Sequence, residues 1–166
     1  MRRRLVAALV AGLIVTGLIA GPAAAVPQPT IADIAVANGN FTTLVAALGC
    51  TNLVGAVADR QASLTVFAPT DSAFARLGLN ARNICWLPKN VLANILTYHV
   101  APGTRFAAEV VSSGTIPTLN GGLLYPSVRN GSAYLNLYAR IVQTDIAAAN
   151  GVIHVIDSVL VPLRLV

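Results

Sequence analysis

The apolar positions change their spacing partway along the chain, and that change predicts the order of the elements. Ile31, Ile34 and Ala35 fall on one helical face after Thr30, and Asn38-Gly39 closes the stretch. Phe41, Leu44, Val45 and Leu48 then recur at i, i+3, i+4 and i+7, with Asn40 placed to cap that helix and Gly49 to stop it. Leu53, Val54 and Val57 predict a third helix over about 51–58. Leu64-Thr65-Val66-Phe67 breaks the helical period with a β-branched and aromatic run that Pro69 ends. A short helix over 72–77 and a longer one opening at Pro88, with Val91, Leu92, Ile95 and Tyr98 inward, complete the helical part.

Beyond Gly103 the apolar runs are short and separated by turn residues. They predict strands near 106–111, 115–119, 123–128, 133–137, 140–144 and 151–160. Asn120-Gly121 and Asn130-Gly131 are hairpin-turn signals, and Asn150-Gly151 marks a further turn. Helices first and strands afterwards argue for α+β rather than an alternating α/β fold.

The residues before this pattern read differently. Met1-Arg2-Arg3-Arg4 is basic, Leu5–Ala20 is uncharged and mostly apolar, and Gly21-Pro22 precedes Ala23-Ala24-Ala25. That is the layout of a secretory signal peptide over residues 1–25, cleaved after Ala25. The alternative is a retained anchor, for which the 16-residue run is short. The expectation is one domain, residues 26–166, secreted to the periplasm or the extracellular space, touching a membrane only through an uncleaved leader.

Without the leader eight basic residues remain, Arg60, Arg76, Arg82, Lys89, Arg105, Arg129, Arg140 and Arg164, against six acidic ones. They are scattered, so no stripe tracks a nucleic-acid backbone, and nucleic acid is excluded as a partner. Export places Cys50 and Cys85 in an oxidising compartment, which favours a disulfide between them. The other reading, a reactive or metal-binding pair, lacks CxxC spacing and nearby histidines.

Two blocks stand out. Thr65-Val66-Phe67-Ala68-Pro69-Thr70-Asp71-Ser72-Ala73-Phe74 describes a buried strand turning sharply into a helix, with Thr70 or Asp71 as the cap. Gly151–Pro162 is a nearly continuous apolar run around His154 and Asp157, as a strand buried on both faces requires. Together the blocks resemble the two signature motifs of the fasciclin domain family, and Ile95–Val100 between them resembles its Tyr-His segment. The resemblance spans about Thr30 to Pro162. It implies a wedge-shaped antiparallel β-sandwich with the N-terminal helices packed at one end. It also implies a secreted adhesion or matrix-interaction module whose partner is an extracellular protein or polysaccharide. In animal members the Tyr-His region and an Asp-Ile pair before the second block belong to integrin recognition. The matching positions here are Tyr98, His99, Asp145 and Ile146, the last two without the flanking residues of the animal motif.

Catalysis has few parts to draw on. No GxSxG elbow is present, no two histidines have metal-ligand spacing, and the acidic residues are dispersed, although Asp71 and Asp157 could share a pocket. His154 in its apolar strand reads as a core residue that must be hydrogen-bonded. No enzyme activity, cofactor or metal is therefore expected. The alternative function is carriage of a small apolar molecule or lipid, which would need an enclosed pocket of roughly 300–1,000 Å³. Asn40-Phe41-Thr42 and Asn130-Gly131-Ser132 match the glycosylation sequon, but capping and turn roles account for both asparagines equally well.

Overall fold

Thr30 caps the first helix, α1 (Ile31–Ala37), through a reciprocal box: its hydroxyl accepts from the Asp33 N–H and the Asp33 carboxylate accepts from the Thr30 N–H. The computed structural model describes residues 25–163; the expected leader lies outside them except for Ala25. Two further helices follow, α2 (Thr42–Thr51) and α3 (Val54–Ala58), and then strand β1 (Leu64–Pro69). Helix α4 (Asp71–Ala75) and a 3₁₀ turn (Ile84–Trp86) lead to α5 (Lys89–Tyr98) and β2 (Val100–Pro102). The remainder is α6 (Ala107–Ser112), β3 (Ile116–Pro117), β4 (Leu123–Leu124), β5 (Pro126–Arg129), β6 (Ser132–Leu135), β7 (Ala139–Ala148) and β8 (Gly151–Ile156).

The fold is α+β. One sheet has the order β2-β1-β8-β7-β6-β5, and β3 pairs with β4 apart from it. Most neighbours are antiparallel, but β1 and β8 run parallel, with Thr65 opposite Val152 and Phe67 opposite His154. The two blocks singled out in the sequence are thus adjacent central strands. β1 is buried along its whole length and β8 from Val152 onward, which accounts for their unbroken apolar character.

Burial on both faces creates two cores. On one face Val66, Ala68, Ile153 and Val155 pack with Phe41, Leu44 and Leu48 of the helical end. On the other, Phe67 and Ile156 pack with Tyr98, Val110, Ile116, Leu124 and Leu135. Cys50 at the end of α2 and Cys85 in the 3₁₀ turn form a disulfide, with Cα atoms 5.8 Å apart.

Several sequence expectations are corrected. Residues 106–111 form a helix, not a strand. The Phe106 N–H donates to Glu109 and the Ala107 N–H to Asp145, so two free N–H groups of the first turn are satisfied. Asn40 does not cap α2. Asp71 does so from another element, accepting from the Thr42 and Thr43 N–H groups at 3.2 and 2.7 Å. Gly49 lies inside α2, which ends at Asn52 in the left-handed region with φ 60°. The strand expected to reach residue 137 stops at Leu135, because Asn136 and Leu137 both have positive φ and turn the chain.

Candidate functional site

The irregular strand β7 sets the geometry around Asp145. Gln143 pairs with Val155 and Ile146 with Ile153, so Thr144 and Asp145 together face the single residue His154. This bulge pushes Asp145 into the left-handed region at φ 59° and leaves its side chain exposed. Non-glycine residues enter that region only when their surroundings hold them there.

Three hydrogen bonds do the holding. The Asp145 N–H donates to His154 Nδ1 at 3.3 Å. His154 Nε2 lies 2.8 Å from the Arg105 carbonyl oxygen, to which it donates. Asp145 Oδ1 accepts from the Ala107 N–H at 2.7 Å, which fastens the bulge to the start of α6. Because Nδ1 accepts and Nε2 donates, His154 is a neutral imidazole with one tautomer. The ring is fully buried and stacks on Phe67 with centroids 5.6 Å apart.

Thr65 extends this support across the sheet. Its hydroxyl accepts from the Arg105 N–H at 2.8 Å and donates to the Gly103 carbonyl at 2.7 Å. Thr65 and His154, one from each block, therefore pin the same loop, and that loop and the bulge brace each other. Ile146 is half-buried against the helical core, so the pair presents mainly the Asp145 carboxylate to solvent.

Tyr98 and His99 sit elsewhere, inside the molecule. The Tyr98 hydroxyl donates to the Leu123 carbonyl and accepts from the Asn136 amide, both at 2.9 Å. Burial pushes its phenol above the ordinary range, against the opposing effect of the Asn136 bond. His99 Nδ1 lies 2.7 Å from the Ile95 carbonyl, to which it donates, and its Nε2 accepts from the Leu160 N–H at 2.9 Å. Desolvation lowers its pKa to about 4, the bond to Ile95 working the other way. The structure does not bring Tyr98 and His99 to the surface that carries Asp145; their exposures are 5% and 1%.

The remaining block residues have structural partners. Thr70 caps α4 through the Ala73 N–H at 3.3 Å, while Asp71 is committed to α2. Asp157 accepts from the Arg140 N–H at 3.0 Å, and Phe74 is buried. Gly151 has φ 147°, and a Cβ there would lie 1.8 Å from the Leu64 carbonyl oxygen. Close parallel pairing of β8 with β1 therefore requires glycine at this position.

Sequence reasoning gave Asn150 no role of its own, reading it as half of a turn and as the first residue of the stretch, Asn150–Pro162, that resembles the second motif. It is buried, accepts from the Ile31 N–H at 2.9 Å, and donates to the Val57 and Asp59 carbonyls at 2.9 and 3.0 Å. It joins the start of α1 to the end of α3. The sequence signal was ambiguous, because Asn-Gly suits a turn whether or not the asparagine is buried.

Among the described residues no group of three His, Cys, Asp or Glu could hold a metal ion, and no helix is long and apolar enough to cross a membrane. Both ring nitrogens of each histidine are engaged, so neither offers a lone pair or a proton to a substrate. An interior void beside His99, lined by Phe41, Leu44, Leu96 and Ile153, has about 20 Å³. That is room for about one water molecule.

With this geometry in hand, comparison with known proteins is direct. The fasciclin domain family model matches residues 39–162. The chain belongs to the fasciclin domain family. Among its fasciclin relatives, protein sll1483 of Synechocystis is 44% identical over 135 residues, covering 80% of this chain and 73% of that protein. Immunogenic protein MPB70 of Mycobacterium bovis is 36% identical over 149 residues, covering 86% and 75%. Transforming growth factor-beta-induced protein ig-h3 of Sus scrofa is 35% identical over 136 residues, covering 82% of this chain but 20% of the relative. A solved FAS1 domain pair from the insect cell adhesion molecule fasciclin I superposes with a TM-score of 0.71 at 18% identity, covering 85% of this chain and 53% of that one. At that identity the likeness concerns the fasciclin fold alone.

Proposed function

We propose that this fasciclin domain is a secreted, non-catalytic module of cell-surface or matrix interaction, whose partner is an extracellular protein or polysaccharide and which offers it the Asp145–Ile146 bulge. The observation that carries the reading is the contrast between interior and surface. Both histidines are buried with their nitrogens occupied. Asp145, by contrast, is held exposed in a left-handed conformation by three separate elements. Backbone strain persists only where its surroundings over-determine it, and such positions cluster at binding sites. Adhesion relatives in the family and a leader-like N-terminus point the same way. The 20 Å³ void gives no support to carriage of an apolar ligand.

Binding of the purified protein to its host's cell surface and matrix polymers tests the reading. Asp145→Asn removes the charge but keeps an oxygen for the Ala107 N–H. We expect it to lower binding with little change in melting temperature. Binding no better than an albumin control, or equal binding by Asp145→Asn, would overturn the proposal.

A further inference from the structure

The single tryptophan of the chain is 84% exposed. A large aromatic in that position normally finds cover. Its placement follows from the 3₁₀ turn, which buries Ile84 completely and so directs Trp86 outward two residues later. The turn is rigid. The Asn80 N–H donates to the Asn83 side chain at 2.7 Å, and the Asn83 amide donates to the Gly78 carbonyl at 2.9 Å. The Ile84 N–H donates to the Asn80 carbonyl, and the neighbouring Cys85 is tied to α2 by the disulfide. An indole held out on a fixed turn loses little entropy when something docks on it.

The surroundings state what would dock. Between Asp71 and Glu109 the chain has no acidic residue, while Arg82 and Lys89 flank the indole in sequence and are exposed. Arg82 also lines an open groove of about 550 Å³ with Thr42, Asp71, Ser72 and Asn80. A groove of that volume is of ligand size, and it sets the Thr42, Thr43 and Ser72 side chains beside apolar Ala75, Leu79 and Ala81, a mixed lining that suits both the hydroxyls and the apolar face of a sugar. The Asp71 carboxylate in the groove spends its hydrogen bonds on α2, accepting from two N–H groups and the Thr42 hydroxyl. A bilayer would require further apolar residues around the indole, whereas Asn80, Arg82, Lys89 and Asn90, all exposed, flank it in sequence.

We infer that Trp86, Arg82 and Lys89 form a binding platform for an acidic polysaccharide. The indole stacks on the apolar face of a sugar ring and the two cations pair with its carboxylate or sulfate groups. The inference rests on the surface-interaction reading above, and it names one partner class and a face distinct from Asp145.

The lone indole makes the test specific, since all tryptophan emission comes from this site. The purified protein is titrated with polygalacturonate, with neutral dextran and with phosphatidylglycerol vesicles. The expected result is a saturable emission change with polygalacturonate alone, weakened about tenfold in roughly 0.5 M salt. The double variant Arg82→Gln, Lys89→Gln should bind about tenfold more weakly with its circular dichroism unchanged. Trp86→Ala, followed by retardation in polygalacturonate gels, should lose binding. No response to polygalacturonate, a response to vesicles instead, or equal retardation of Trp86→Ala would each overturn the inference. If the protein still binds its host surface through Asp145 in those cases, only this inference falls and the adhesion reading stands.

Discussion

At the scale of single residues, Gly151 and His99 show how closely the centre of the domain is specified. Gly151→Ala would place a Cβ 1.8 Å from the Leu64 carbonyl oxygen, so β8 would have to move off β1. The expected loss is about 3 kcal/mol or more, read from urea denaturation. His99 has its pKa lowered to about 4 by burial. The unfolded chain therefore binds an extra proton between about pH 6.5 and pH 4. Stability should be full above pH 6.5 and fall by about 3 kcal/mol as the pH drops to 4. His99→Gln should flatten that slope, as midpoints measured across this range would show. Asp33 and Asp71 act in a lower window. Hydrogen bonds from the Thr30 N–H and hydroxyl hold Asp33 below its ordinary 3.8. Burial pushes Asp71 up, but the bonds from Thr43 and Thr42 outweigh it. Their contribution is present above pH 3.8 and is lost only below it.

At the scale of elements, the helices owe their ends to residues distant in sequence. Asp71 belongs to the first block but caps α2, and Asp145 belongs to a strand but caps α6. Replacing Asp71 by Ala should cost about 1–2 kcal/mol, visible as a lower melting temperature, while Thr70 still caps α4. These caps explain which parts of the fold were legible. Periodicity in the first third located α1, α2 and α3, and the unbroken apolar runs located β1 and β8, because local spacing alone determines those faces. Residues 106–111 were misread because their helix is secured partly by Asp145, more than 30 positions away. The family resemblance singled out Asp145 and Ile146 as a pair but gave no sign of the bulge that carries them. Its left-handed backbone depends on His154 across the sheet, and nothing in residues 143–147 shows that. Trp86 went unnoticed because an aromatic beside a cysteine gives no sign of which way it points.

For the whole molecule, the disulfide and the two cores carry the architecture. The Cys50–Cys85 bond joins α2 to the 3₁₀ turn across a sequence separation of 35. Its removal by a double Cys→Ser change should cost about 3–4 kcal/mol. Denaturation of the oxidised and variant proteins side by side would measure it. The same change should loosen the turn that carries Trp86, so polysaccharide binding should weaken along with stability.

The parallel pairing of β1 with β8 also governs when the domain can exist at all. Leu64 finds its neighbour in Gly151, and between the two strands lies most of the remaining chain. Neither core can close until β8 arrives, since its residues line both. High contact order of this kind slows folding. A chain still being synthesised lacks the strand that would lock it, so it stays extensible until β8 emerges. That is the condition in which a polypeptide can be threaded through a narrow pore and folded on the far side.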